Sequence, residues 1–230
     1  MFAVWPCPLP GGETAEENVR LFDAARDQRL LVIPPLFDEH NKLRHQLVEV
    51  MRRLDMSGID SFLPDLPGWN ESALPLAGQS LASWRNAVEA AISHFRATHV
   101  LAVRGGGLLV PATIPGWLYG PVAGKQLLRS MLRARVISSR EAGTEESAET
   151  LSEIARSGGI TLAGWSIGPD MFAELEASEK PVPENLVIIE QSSVGGSPLW
   201  LRAEPDYDAA QADTLAALIA DGILDTGPSA

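Results

Sequence analysis

The sequence predicts an α/β protein with a mostly parallel central sheet and helices on both faces. Short apolar runs at 29–33 and 100–103 indicate buried strands, because they are rich in Leu, Val and Ile. Segments with helical spacing at 41–55 and 79–95 separate such runs. Strands that alternate with helices form parallel sheets through right-handed crossovers. The 230 residues suit one domain with a full core.

Regular patterns define the first half of the chain. Thr14 and Glu17 have the spacing of a capping box, which predicts an N-terminal helix. Pro34-Pro35 ends the strand at 29–33, and Gly58 ends the helix at 41–55. The predicted elements in order are a helix at 13–27, a strand at 29–33, a helix at 41–55, a strand at 59–64, a polar loop at 65–72, a helix at 79–95 and the strand leading to Arg104.

The second half has shorter patterns. We expect one domain over 1–230, with 1–28 as an N-terminal extension and 140–180 as a cap- or insert-like segment. Pro181-Val182-Pro183 predicts a loop within that domain. The predicted elements are strands at 114–119, 160–163, 186–190 and 199–203, and helices at 124–138, 144–157 (opened by Thr144), 170–178 and 207–221.

Composition excludes several classes of function. The net charge of −12, from 18 basic and 30 acidic residues, argues against binding nucleic acid, whose phosphates require a basic surface. The single cysteine, Cys7, makes no internal disulfide. We find no signal peptide and no apolar run of the roughly 20 residues that span a bilayer. These observations predict a cytoplasmic protein, and no pattern indicates a cofactor.

The run around Arg104 is the most informative stretch. An apolar strand leads to Arg104, and three glycines and a second apolar run follow. In α/β-hydrolases a strand, a sharp turn and a helix carry the nucleophile in the pattern G-x-S-x-G. The corresponding residues here are Ala102-Val103-Arg104-Gly105-Gly106. The sequence therefore predicts an α/β-hydrolase-like elbow with arginine, which is not an acyl-transfer nucleophile, at its centre.

A second stretch, Gly164-Trp165-Ser166-Ile167-Gly168, matches G-x-S-x-G literally. In this fold the order along the chain is nucleophile, acid, histidine, whereas all four histidines precede Ser166. A serine without its base loses on the order of 10⁴-fold or more in rate. Two hypotheses stay open: Ser166 is a catalytic nucleophile, or it lies in a turn that leads into a helix beginning near Pro169-Asp170.

The histidines do not predict a metal site. His40 and His45 are five residues apart rather than the four of a zinc-binding helix. His99 opens a predicted strand, where a structural role is expected. We therefore predict no metal.

The charge of Arg104 requires a partner, since a cation at a helix start costs about 0.3–1 kcal/mol. One alternative is an internal ion pair with Asp38, Glu39 or Asp65, and the other is an anionic ligand. The loop after the first predicted strand has two interpretations as well. It is a solvated helix N-terminus with acids at the positive end of the dipole, or it turns polar side chains towards Arg104. The second interpretation gives a ligand site formed by Asn41, Lys42, Arg44, Arg104 and Gly105.

Several stretches occur in an order that is typical of one family. They are PPLFDEHNKLR at 34–44, PDLPGWNES at 64–72, Trp84 in the following helix, AVRGGGLL at 102–109, YGPVAGKQLLRSMLRAR at 119–135 and GWSIGPDMFAELEA at 164–177. In this arrangement the chain resembles the exosortase-A-system-associated hydrolase-like proteins of the second type. The resemblance covers about residues 30–205 and includes the arginine at the elbow.

This resemblance implies an α/β-hydrolase-like fold and a genomic link to exopolysaccharide export and exosortase-sorted envelope proteins. The chain departs from the family where Asp38-Glu39-His40 replaces a Glu-Glu pair and where Asn70-Glu71-Ser72 replaces Gly-Asp-Ser. The family's N-terminal hairpin is expected to be missing, or replaced by the helix at 13–27.

The sequence-based hypothesis is a binding or accessory protein of exopolysaccharide or envelope production without a recognisable Ser-His-Asp triad. The expected ligand is a small anionic or acyl compound. The expected protein contacts are a second copy of the chain or a partner of envelope biosynthesis. The alternative is an esterase- or thioesterase-like acyl hydrolase that uses Ser166 or another group.

Overall fold

A computed structural model describes residues 1–181 and 184–225 of the chain. Val182 and Pro183, within the predicted loop at 181–183, lie outside the described residues. The strands are β1 (Phe2–Pro8), β2 (Thr14–Phe22), β3 (Arg29–Ile33), β4 (Asp60–Pro64), β5 (His99–Val103), β6 (Gly116–Tyr119), β7 (Ile160–Leu162), β8 (Trp165–Ile167) and β9 (Leu186–Ile189). The helices are α1 (Asp38–Met56), α2 (Leu81–His94), α3 (Gly124–Glu141), α4 (Ala148–Gly158), α5 (Pro169–Ala177), α6 (Gln191–Val194) and α7 (Ala209–Asp225).

The main sheet has seven strands in the order β1-β2-β4-β3-β5-β6-β9. From β4 to β9 the neighbours are parallel, with Ile33 beside Ala102 and Val103 beside Tyr119. Strands β1 and β2 are antiparallel, as are β2 and β4. The mostly parallel central sheet predicted from the sequence is confirmed.

Helices cover both faces of the sheet. In β5, Val100 and Ala102 belong to one hydrophobic core, and Leu101 and Val103 belong to the other. This division follows from the period of two along a strand. Helices α1 and α7 cover the second core, and α2, α3 and α5 cover the first.

The predicted helix at 13–27 is wrong, and the hairpin expected to be missing is present as β1 and β2. Gly12, with φ of +83°, lies in the turn between the strands. On β2, Glu17 and Val19 are buried. Pairing with β1 and β4 outweighs the helix propensity of the acidic run, and the capping-box pattern of Thr14 and Glu17 has no helix to cap.

Three smaller expectations also differ from the structure. The predicted strand at 199–203 is instead a short 3-10 turn over Leu199–Leu201. Helix α4 begins after Ser147, whose side chain accepts a hydrogen bond from the amide of Thr150, and does not begin at Thr144. Helix α1 begins three residues earlier than predicted.

The segment at 140–180 contains the end of α3, then α4, the β7–β8 hairpin and α5. Helix α5 packs against α3 and α4. Among the described residues, no helix is long and apolar enough to cross a membrane.

The parallel strands bring three connections to one edge of the sheet. Strands β3, β4 and β5 all end at this edge, followed by α1, the loop at 65–72 and Arg104. Ligands of open α/β sheets bind beyond the carboxyl ends of the strands, so this edge is the candidate site.

Candidate functional site at the strand ends

The turn after β5 has the geometry of a nucleophile elbow. Arg104 has φ of +54°, a left-handed conformation that is strained for a residue with a side chain. A short 3-10 helix, Arg104–Leu109, follows it. A Cβ at Gly105 would lie 2.7 Å from Leu127 Cδ1, and one at Gly106 would lie 2.4 Å from Pro34 O. The glycines therefore permit this turn, and the expected strand and turn are present. The expected helix differs: the 3-10 helix includes the glycines and ends at Leu109, where a longer helix was expected to begin.

Each nitrogen of the Arg104 guanidinium group donates a hydrogen bond. Its Nε donates to Glu39 Oε2 at 3.1 Å and its Nη2 donates to Glu39 Oε1 at 2.9 Å, a bidentate pair. Its Nη1 donates to the carbonyl of Gly120 at 2.8 Å. The guanidinium carbon lies 4.5 Å from the ring centre of Trp200. Of the two alternatives for this charge, the structure contains the internal ion pair, with Glu39 among the three candidates.

A cavity of about 190 Å³ opens beside this pair. Arg104, Glu39, Lys42 and Trp200 line one part of it, and apolar side chains that include Met131 line another. Lys42 Nζ lies 2.7 Å from Asp38 Oδ2, a carboxylate that also lines the cavity. The two cations of the cavity are therefore each beside a carboxylate.

Arg44 does not face this cavity. Its Nη1 donates to Asp65 Oδ1 at 2.8 Å and lies 3.0 Å from His40 Nε2. Asn70 Nδ2 contacts the same two acceptors, at 2.7 Å from Asp65 Oδ1 and 3.1 Å from His40 Nε2. The ring of His40 packs on Trp69, with 4.9 Å between centroids. The loop after β4 and the start of α1 thus form a second polar cluster at the same edge.

His40 is neutral in this cluster. Burial lowers the pKa of His40 to about 3, with a further contribution from the charge of Arg44. Because Nε2 accepts from Arg44 and Asn70, we assign the ring proton to Nδ1. This nitrogen is buried and has no hydrogen-bond partner in the part of the chain that the structure describes.

The remaining predicted ligand residues, Asn41 and Gly105, do not line the cavity beside Arg104. Asn41 is exposed on α1. Gly105 is buried below Arg104, packed against Leu36 and Leu127. Asp38 and Glu39 occupy the first turn of α1, as the helix N-terminus interpretation expects.

Sequence patterns did not assign Trp200 to this edge, and they placed His40 in the loop after the first strand without a role in the polar cluster. Trp200 lies in the segment where a strand was predicted, and its only signal was the apolar run PLWL at 198–201. The signal for His40 was its position one residue after Glu39, on the helix that follows β3.

Ser166 lies on β8, in the hairpin with β7, rather than in a turn. The helix expected after it does begin at Pro169. Successive residues of a strand point to opposite faces. Trp165 accordingly packs near Phe37, with 6.0 Å between ring centroids, whereas Ser166 is exposed. Its hydroxyl lies 3.3 Å from Thr161 Oγ1.

The other three histidines contact aromatic rings away from this hairpin. The ring partners are Tyr207 for His45, Trp5 and Phe95 for His94, and Trp117 for His99. Within the ranges that the structure describes, no group of three or more His, Cys, Asp or Glu side chains is arranged to hold a metal ion.

The chain matches no family model and no curated protein. It is similar in structure to the α/β-hydrolase domain-containing protein 10 of mouse, with 17% identity, 98% of each chain covered and a TM-score of 0.58. It is also similar to an esterase domain from Rhodothermus marinus, at 12% identity, 96% of this chain and 97% of that chain covered, and a TM-score of 0.55. A third similar structure is Est1E from Butyrivibrio proteoclasticus, at 13% identity, 96% and 98% coverage, and a TM-score of 0.54. These similarities establish the α/β-hydrolase fold.

Proposed function

We propose that this chain is a non-catalytic binding or accessory protein on an α/β-hydrolase scaffold. The observation that carries the proposal is Arg104, which occupies the nucleophile position of the elbow and is fixed by Glu39 and the Gly120 carbonyl. A guanidinium has no lone pair suitable for acyl transfer. The elbow therefore serves structure and recognition rather than covalent chemistry.

The proposed ligand site is the cavity beside Arg104. Arg104 and Lys42 supply positive charge, and Trp200 and Met131 supply apolar surface. A small anion with an apolar part suits this combination, and it would compete with Glu39 for the Arg104 fork. Asn41, Arg44 and Gly105, the other residues of the sequence-based set, belong to the same edge of the sheet but do not line this cavity.

We further propose that the protein acts in exopolysaccharide or exosortase-linked envelope production, within the cytoplasm. The support for this role is the ordered set of family-like stretches, including 34–44 and 102–109. The fold needs no oxidising compartment, because Cys7, the chain's single cysteine, is buried and makes no internal disulfide.

The test combines an activity assay with a genetic assay of Ser166→Ala. In vitro, purified wild type and Ser166→Ala are compared on p-nitrophenyl esters from acetate to decanoate, and both are treated with a fluorophosphonate probe. We expect no turnover that depends on Ser166 and no covalent adduct. In the native host, deletion of the gene should lower secreted polysaccharide, and Ser166→Ala should restore it as fully as wild type.

Turnover that is lost in Ser166→Ala, or an adduct mapped to any serine, would overturn the non-catalytic proposal in favour of the esterase alternative. Unchanged polysaccharide in the deletion strain would overturn the proposed role. Because Ser166 is exposed and its hydroxyl contacts only Thr161 among the described residues, the alanine variant is expected to fold normally.

A further inference from the structure

A larger concave surface lies away from the elbow, between α3, α4 and α5. This groove has a volume of about 470 Å³, within the range of roughly 300–1,000 Å³ that is typical of small-molecule sites. Its apolar lining comes from three helices: Leu128, Leu132, Val136 and Ile137 from α3, Ala148 from α4 and Phe172 from α5. Leu128, Leu132 and Phe172 are buried in its floor, whereas Ile137 and Ala148 are exposed. Its lining carboxylate, Glu176, is paired with Arg156 at 2.7 Å.

A row of cations borders the apolar groove. Lys125, Arg129 and Arg133 are four residues apart along α3, so they lie on one side of the helix. Lys125 Nζ lies 2.6 Å from Glu179 Oε1. Neither Arg129 nor Arg133 has a carboxylate within 4.0 Å in the ranges that the structure describes, although the chain carries a net charge of −12.

The same row also borders a second concavity, of about 370 Å³. Its other lining residues are Ala123, Gln126 and Ser130, so its surface is more polar than that of the groove. The row therefore separates an apolar surface from a polar one. Unpaired guanidinium groups at such a boundary complement a molecule with an anionic head and an apolar chain.

We infer that the groove between α3, α4 and α5 binds a long-chain acyl amphiphile with an anionic head group. The acyl chain lies on Val136, Ile137 and Ala148, and the head group meets Arg129 and Arg133. An inorganic anion would not contact the apolar residues of the groove. A neutral lipid would not pair with the two guanidinium groups. This site goes beyond the function proposed for the elbow, because none of its residues contacts Arg104.

The binding test uses dodecanoate below its micelle concentration and dodecanol as the neutral match, measured by isothermal titration calorimetry at low salt. We expect dodecanoate to bind about 100-fold more tightly than dodecanol, which corresponds to one charge-assisted hydrogen bond to each of the two arginines. Affinity for dodecanoate should fall as sodium chloride is raised, because the pairing groups are exposed and therefore screened.

Three variants locate the site. Arg129→Ala and Arg133→Ala should each weaken dodecanoate binding about tenfold and leave dodecanol binding unchanged. Ala148→Trp, at an exposed position on the groove wall, should abolish binding of both. The matched control is Arg140→Ala, which removes an exposed arginine of α3 that lines neither concavity.

Failure of wild type to bind dodecanoate overturns the inference. Equal affinities for dodecanoate and dodecanol, or unchanged binding in both arginine variants, overturn the head-group assignment, and unchanged binding in Ala148→Trp overturns the location. Thermal melts of each variant confirm that it is folded. Ester turnover by wild type would contradict the non-catalytic proposal but not the inference about the groove, which only these binding results test.

Discussion

At the scale of single residues, His40 makes the folded state sensitive to acid. The folded protein holds the pKa of His40 at about 3, below its usual value of about 6.5. Between these values the unfolded chain binds a proton that the folded chain excludes. The free energy of unfolding therefore falls as pH drops from about 6.5 towards 3, with a limiting slope of about 1.4 kcal/mol per pH unit.

This slope is measured by urea unfolding at several values of pH for wild type and His40→Gln. We expect the variant to lose less stability than wild type between pH 6.5 and 4, whatever its stability at neutral pH. Burial raises the pKa of Glu17, which contributes in the opposite direction in both proteins and so leaves the comparison intact. His45→Gln, at an exposed position on the same helix, is the control. Equal slopes for wild type and His40→Gln would contradict the assignment.

Arg104 shows what residue types alone can predict about a site. A cation at a helix start needs a counter-charge, and this rule limited the internal partners to Asp38, Glu39 and Asp65. Which of the three carboxylates pairs with Arg104 depends on the tertiary structure. Glu39 lies within hydrogen-bond distance of Arg104, whereas Asp65 pairs with Arg44. The bidentate pair also offsets the strain of φ at +54°, which costs on the order of 1–3 kcal/mol for a residue with a side chain.

At the scale of elements, the elbow depends on how closely its helix approaches β3. A Cβ at Gly106 would lie 2.4 Å from the carbonyl oxygen of Pro34, which is backbone and cannot rotate away. A Cβ at Gly107 would lie 3.2 Å from Pro181 Cγ and 3.3 Å from Leu118 Cδ2, where side chains can adjust. We expect Gly106→Ala to lower the free energy of unfolding by about 3 kcal/mol and Gly107→Ala by about 1 kcal/mol or less.

Chemical denaturation of the two glycine variants and wild type measures this difference directly. The variants add the same methyl group to adjacent residues, so Gly107→Ala controls for the general effect of alanine on the unfolded chain. A loss in Gly106→Ala no larger than that in Gly107→Ala would mean that the turn is not tightly packed against β3.

The elements differ in how well the sequence predicts them. Strands β3 and β5 are continuous apolar runs with breakers after them, so both were found. Strand β2 was missed because Glu17, a buried carboxyl that accepts a hydrogen bond from Ser72 Oγ at 2.7 Å, occupies a position where an apolar residue would show the alternation. A buried carboxyl whose hydrogen-bond donor lies in a loop far along the chain cannot be recognised from local periodicity.

At the scale of the whole molecule, topology predicted which residues come together at the strand ends better than side-chain chemistry did. Parallel strands bring their carboxyl ends to one edge, which correctly brought Arg104 close to α1. The contact of Trp200 with Arg104 and the groove along α3 were not predicted, because both depend on how the second half of the chain packs. The cation row itself is visible in the sequence as Lys125, Arg129 and Arg133, but its position beside an apolar groove is not.

The two edges of the sheet differ in their protection, which predicts where the molecule associates with itself. Strand β1 contains Pro6 and Pro8, which remove backbone donors from that edge. Strand β9, at the opposite edge, has neither proline nor charge, and Val187 and Ile188 on it are 61% and 38% exposed. Such an edge favours pairing with a second chain.

We expect Val187→Lys to slow self-association at high concentration severalfold, as followed by light scattering. Met56→Lys, at an exposed apolar residue at the end of α1, should leave the rate unchanged. Association that persists at the wild-type rate in Val187→Lys would show that β9 is not the surface involved.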